Sequence, residues 1–92
     1  MKPDDLKKIG DNLTQLKWAC RRGMLELDVL LGNFLNEAYP TLSIEDKSAF
    51  VELLSCADPA LFAWLLGREV PDERLAKITE KIRQHARSRI YV

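Results

Sequence analysis

The densest grouping of chemically capable side chains lies in Trp18-Ala19-Cys20-Arg21-Arg22-Gly23-Met24-Leu25-Glu26-Leu27-Asp28, where two guanidinium groups, a thiol, an indole and two carboxylates fall within eleven residues. Adjacent arginines offer a planar fork for bidentate contact with carboxylate or phosphate. Arginine and tryptophan are the residue types most enriched at interface hot spots. These residue types make the stretch a candidate for binding rather than for catalysis. Local capping explains part of it: Gly23 suits a left-handed helix cap, Arg21 and Arg22 meet the negative end of one helix dipole, and Glu26 meets the positive end of the next. Capping does not need two arginines together with Glu26, Asp28 and Trp18. That surplus marks the stretch, with Arg21, Arg22, Glu26, Asp28 and Trp18, as a candidate docking site. Arg22 and Glu26 are expected to stand in solvent on either side of a glycine that permits positive φ and close backbone approach. As exposed charges they are expected to contribute little to stability.

The rest of the chain supplies no catalytic constellation. His85 is the single histidine, on a basic helix with no cysteine or carboxylate at ligand spacing, and reads as a surface residue. There is no G-x-S-x-G, no G-x-G-x-x-G, no phosphate loop and no H-E-x-x-H. Cys20 and Cys56 belong to no C-x-x-C pair and read as small buried hydrophobes of a reducing compartment. The expectation is a protein that is not an enzyme, with neither a catalytic residue nor a metal site. The last helical segment carries Arg74, Lys77, Lys81, Arg83, Arg87 and Arg89 against Glu73 and Glu80. A solvated face is the simpler account, and the alternative is a nucleic-acid or regulatory protein-binding module using this basic C-terminal helix. No aromatic residue interleaves with these charges before Tyr91, which argues against single-strand binding.

Five helical patterns position these residues. Leu6, Ile9, Leu13, Leu16 and Cys20 form one apolar stripe, with Gly10 on its polar side, and the first helix closes at Gly23. A second begins near Met24, turns Leu27, Leu30, Leu31, Phe34, Leu35 and Ala38 inward, and ends at Tyr39-Pro40. Gly32 within it suggests close packing against a neighbour. Ser43 caps a third, with Glu45 and Asp46 in its first turn and Phe50, Leu53, Leu54 and Ala57 inward. Asp58-Pro59 reads as N-cap and first helical position of a short fourth helix that presents Leu61, Phe62, Leu65 and Leu66 and stops at Gly67. Asp72 caps a fifth, with Leu75, Ile78, Ile82 and Ala86 inward, and residues from about 88 to 92 are expected to fray. Short loops between these segments, and no period-two alternation, predict an all-α compact five-helix bundle with antiparallel neighbours.

Composition agrees with one soluble domain over residues 1–92. Forty-seven per cent hydrophobic and 30% charged residues describe a folded chain, and fourteen basic residues balance fourteen acidic ones, leaving no net field to attract nucleic acid or anionic lipid. The N-terminus, Met1-Lys2-Pro3-Asp4-Asp5, lacks a signal peptide's apolar stretch, and the expected address is the cytoplasm.

The string from Trp18 to Asp28 resembles the signature of the SdhE (YgfY) family, the FAD assembly factors of the succinate dehydrogenase flavoprotein subunit. A second segment, Asp58-Pro59-x-Leu61-Phe62-x-Trp64-Leu65, is similar to that family's D-P-[DE]-L-F-x-W-L, with Leu42-Ser43 and Phe50-x-x-Leu53-Leu54 at the expected spacing between them. The likeness covers about residues 16–67. Ala60 stands where the family's segment has an acid, and the C-terminal helix matches poorly. The resemblance implies an assembly chaperone of bacterial origin, likewise a five-helix bundle, that binds the flavoprotein subunit of succinate dehydrogenase or fumarate reductase and promotes covalent attachment of FAD to a histidine of that subunit. It implies that the R-G-x-x-E element, Arg22, Gly23 and Glu26, is the functional surface. FAD is then the cargo of the partner, with no cofactor held stably by this chain. Nucleic acid and direct membrane insertion are not expected, and the free protein is expected to be a monomer. A small flavin-binding enzyme is a third reading, which a yellow purified protein would reveal.

Overall fold

In a computed structural model, which describes residues 13–90 and the side chains of 14–88, five α-helices form and no strand is present among the described residues. Helix α1 (Leu13–Cys20) keeps the last part of the first apolar stripe, with Leu16 and Cys20 buried four residues apart. The expected beginning of that stripe, Leu6, Ile9 and Gly10, lies outside the described residues. Helix α2 (Leu25–Glu37) buries Leu27, Leu31, Phe34 and Leu35 at helical spacing. It enters through Met24 without a side-chain cap, and Glu26 and Asp28 complement the positive end of its dipole. The α-helix stops at Glu37, and the chain tightens into a 3-10 turn, Tyr39–Thr41, that accommodates Pro40. Tyr39 is buried there, its ring centroid 5.6 Å from that of Phe50, which in turn lies 5.3 Å from that of Phe34.

Helix α3 (Ile44–Leu54) starts as expected: the Asp46 N–H donates to Ser43 Oγ at 3.2 Å. Its buried face is Phe50, Val51, Leu53 and Leu54, whereas Ala57, expected inward, is exposed at the N-cap of the next helix. Helix α4 (Asp58–Leu65) therefore begins one residue earlier than the sequence suggests, with Asp58 already helical and making no capping hydrogen bond. Its end is a Schellman motif: Arg68 N–H donates to Ala63 O at 2.8 Å and Gly67 N–H to Trp64 O at 3.1 Å. Gly67 has φ 77°, a left-handed conformation that needs glycine. Leu61 and Leu65 are buried, but Leu66, expected inward, is 48% exposed.

Helix α5 (Glu73–Ile90) spans the bundle, burying Leu75, Ile78 and Ile82, and packs against α2, α3 and α4, while α1 packs on α2 and α3. Ala86 is half-buried. The helix runs through Ile90, and Tyr91 and Val92 lie outside the described residues. A buried carboxylate fastens it, since Asp46 of α3 lies 3.7 Å from Lys77 Nζ and 3.5 Å from Lys81 Nζ. Gly32 has open space where a Cβ would sit, so close packing does not account for it. Phe34, Phe50, Leu16, Leu27, Leu31, Leu53, Leu61, Ile78 and Ile82 are almost wholly inaccessible. Each such side chain stabilises the fold by about 1.5–3 kcal/mol.

Candidate functional site

The α1–α2 junction, residues 21–24, is built around a side chain that turns inward. Arg22 is 13% exposed, and its Nη1 donates to Asp58 Oδ1 at 3.3 Å and to Cys56 O at 3.4 Å, while Nη2 donates to Leu54 O. Leu54 is the last residue of α3, whose final carbonyls have no intrahelical donor. A guanidinium placed there satisfies those carbonyls, meets the negative end of the α3 dipole, and pairs with the acid that opens α4. The expectation that Arg22 stands in solvent is thus corrected. Its partners come from 32 to 36 residues away, where local capping arguments do not reach. The pairing also explains why Asp58 does not cap α4. One donor, Arg22 Nε, is buried without a hydrogen-bond partner.

Gly23 is corrected as well. Its φ is not positive, and a Cβ built on it meets nothing within 4 Å. The first helix closes instead through the Arg21 N–H donating to Trp18 O at 3.1 Å, with the following residue anchored below. A side chain at Gly23 therefore neither strains the junction nor obstructs anything within this chain.

The remaining candidates divide into two places. Trp18 is 67% exposed, and the Arg21 guanidinium lies 5.5 Å from its ring centroid, a cation–π pair on the surface. Arg21 and Asp28 line a polar cleft of about 390 Å³ with Lys17, Cys20, Gly32 and Asn36. Glu26 is not part of that cleft. Two residues along a helix is a turn of about 200°, so Glu26 and Asp28 point to different sides of α2. Glu26 is exposed, makes no ion pair among the described residues, and sits at the edge of an apolar groove between α2 and α4. Leu25, 71% exposed, and Val29, 51% exposed, form the α2 wall; Phe62, Leu65 and Leu66 form the other. Sequence reasoning missed this groove. The available signal was Leu25 and Val29, four residues apart and off the stripe that α2 buries, with Leu66 at the end of α4.

Neither thiol is poised for chemistry. Burial pushes Cys20 up to about 12 despite the neighbouring Arg22, and burial, reinforced by Glu52, also raises Cys56. Both are therefore thiols near neutral pH, whereas the nucleophile is the thiolate. His85 is not the free surface residue expected. It is half-buried, with Nε2 3.0 Å from Glu37 Oε1 and its ring edge-on to Phe34. No cluster of three or more metal-ligating side chains occurs among the described residues. The cations of α5 whose side chains are described are engaged within the chain: Arg74 with Glu52 at 2.8 Å, Lys77 and Lys81 with Asp46, Arg83 and Arg87 with Glu80 at 3.1 and 3.0 Å. No described helix is long and apolar enough to cross a membrane.

Residues 14–86 match the family described as flavinator of succinate dehydrogenase. The match runs far into α5, beyond the 16–67 span of the sequence resemblance, so the C-terminal helix is shared too. An FAD assembly factor SdhE of Shewanella oneidensis is 53% identical over 76 residues, covering 82% of this chain and 93% of that one. Another, of Photorhabdus laumondii, is 44% identical over 80 residues, covering 86% and 91%. The solution structure of a UPF0350 protein, 38% identical, superposes with a TM-score of 0.71 and covers all of this chain and 93% of its own.

Proposed function

Because the chain belongs to the family of flavinators of succinate dehydrogenase, we propose that it binds the flavoprotein subunit of succinate dehydrogenase, fumarate reductase or both, and promotes covalent attachment of FAD. The observation that carries this reading is Glu26, an exposed carboxylate without an ion pair among the described residues, next to exposed Leu25 on a junction pinned from beneath by Arg22. Glu26 contacts the client directly, with Gly23 beside it admitting close approach. Trp18 and Arg21 supply an amphipathic stacked surface on the other side of α2. Arg22 acts through position: it fixes the junction that presents these groups.

The bond to FAD is made by the flavin and the client. This chain contributes no activated nucleophile, its two thiols being held protonated, and it acts by preferring the client conformer in which flavin and acceptor histidine are aligned. FAD enters as the client's cargo. In this reading the chain works in the cytoplasm and is a monomer when free of its client. Engagement of the α5 cations by Glu52, Asp46 and Glu80 favours it over a nucleic-acid module.

The test is reconstitution of the purified flavoprotein subunit with FAD and this chain, with covalent flavin followed by its fluorescence in a denaturing gel. Wild type is expected to raise the covalent fraction, and Glu26→Ala to lose that effect while melting within about 4 °C of wild type, as for an exposed residue. Undiminished assistance from Glu26→Ala, or none from wild type, overturns the reading.

A further inference from the structure

An apolar groove opens between α2 and α4. Its volume is about 510 Å³, lined by Leu25, Val29, Leu30, Phe62, Leu65 and Leu66. It does not end there. Leu30, Leu65 and Leu66 also line an adjoining hollow of about 280 Å³ that continues over Ile82 and Ala86 to Arg83 and Arg87 of α5. One apolar trough therefore runs over three helices, with a carboxylate, Glu26, at one mouth and guanidinium groups at the other. Arg87 is 57% exposed even while it engages Glu80.

We infer that this trough is where a segment of the client flavoprotein seats, an amphipathic stretch with a lysine or arginine at the Glu26 end, apolar side chains at helical i, i+3 or i+4 spacing along the floor, and an acidic group toward Arg87. The inference rests on the reading above and assigns it a second, larger contact besides the junction. Charge selects the occupant. Glu26 lacks an ion pair among the described residues, and its carboxylate beside an apolar floor gains most from a cation that arrives together with apolar bulk. A second copy of this chain fits poorly, because two concave faces leave their floors unfilled when apposed. Helix-in-groove recognition supplies the geometry, with apolar anchors giving affinity and the flanking charges giving direction.

The experiment measures binding of purified, FAD-free flavoprotein subunit to this chain and to Val29→Glu and Leu66→Glu. Both positions are about half exposed, so the variants should fold, and Leu25→Glu, at a more exposed position, is a further check. The expected result is at least a tenfold loss of affinity for each variant with an unchanged melting curve. A photoreactive benzoyl-phenylalanine at Leu66 should crosslink to one client peptide containing apolar residues flanked by a lysine or arginine. Wild-type affinity in Val29→Glu and Leu66→Glu, with wild type still binding, overturns this inference and leaves the functional reading standing. No binding by wild type itself overturns both. A wild-type dimer abolished by Val29→Glu would assign the trough to self-association and also overturn it.

Discussion

Replacing Arg22 by alanine should unfold the protein at a much lower temperature. The guanidinium makes three contacts in a largely enclosed position, with Asp58, Cys56 O and Leu54 O. Its removal would leave two carbonyls and a carboxylate short of a donor. Losing one partner of a buried pair costs about 3–5 kcal/mol. Here the Asp58 side chain keeps 25% exposure and two of the contacts are long, at 3.3 and 3.4 Å, so water can partly replace the arginine. About 3 kcal/mol is the reasonable expectation, each hydrogen bond to a charged group contributing about 1.5–3 kcal/mol net before that discount. For a domain of this size that corresponds to roughly 12–24 °C in Tm. Thermal melts by circular dichroism and urea titration, with the slope against urea unchanged, measure it. Arg22→Lys should fall between, since an ammonium keeps the charge but not the fork. A double-mutant cycle with Asp58→Ala should show coupling of about 0.5–3 kcal/mol. If Arg22→Ala melts within about 2 °C of wild type, the side chain is held no more firmly than an ordinary surface residue, and the account of the junction fails.

Other perturbations separate structure from contact. Gly23→Ala should keep or raise Tm, by up to about 1 kcal/mol of stability, because its backbone is ordinary and its surroundings open; a drop of several degrees would contradict this, and lost flavinylation with an intact fold would place the client against this backbone. Gly67→Ala should destabilise by about 1–2 kcal/mol, since alanine is strained at φ 77° and its Cβ would sit 2.9 Å from Arg83 Nη2; an unchanged melting curve would show that the left-handed cap is dispensable. Cys20 has a folded pKa raised from 9.0 to about 12, so its contribution is complete below pH 9 and is lost as pH rises toward 12. Removing that thiol by Cys20→Ala should flatten the alkaline limb of a stability–pH curve. Ellman's reagent at pH 8 should titrate Cys56 well before Cys20, and equal rates would refute the burial assigned to Cys20.

What could be read from the sequence was what local chemistry decides. Ser43 at a helix start and Gly67 at a helix end were legible because a cap acts within four residues. The stripes through Leu27–Leu35 and Leu75–Ile82 were legible because helical spacing repeats. Arg22 departs from its expected place for a matching reason: a cation after the last turn of a helix also complements that helix's own dipole, whereas its acceptors lie at Leu54, Cys56 and Asp58. Asp58 reads as a cap in the sequence because its partner Arg22 lies 36 residues away. The trough escaped because Leu25, Val29 and Leu66 are each unremarkable alone, and only the approach of α4 to α2 makes them one surface. Glu26 was read correctly as exposed, and its separation from Asp28 follows from helical rotation.

Fixing one guanidinium to the end of α3 and the start of α4 ties the junction to the helix that forms the trough's far wall. In the proposed reading, a junction tied in this way has fewer shapes to surrender on meeting a client, so more of the entropy lost in the encounter falls on the client.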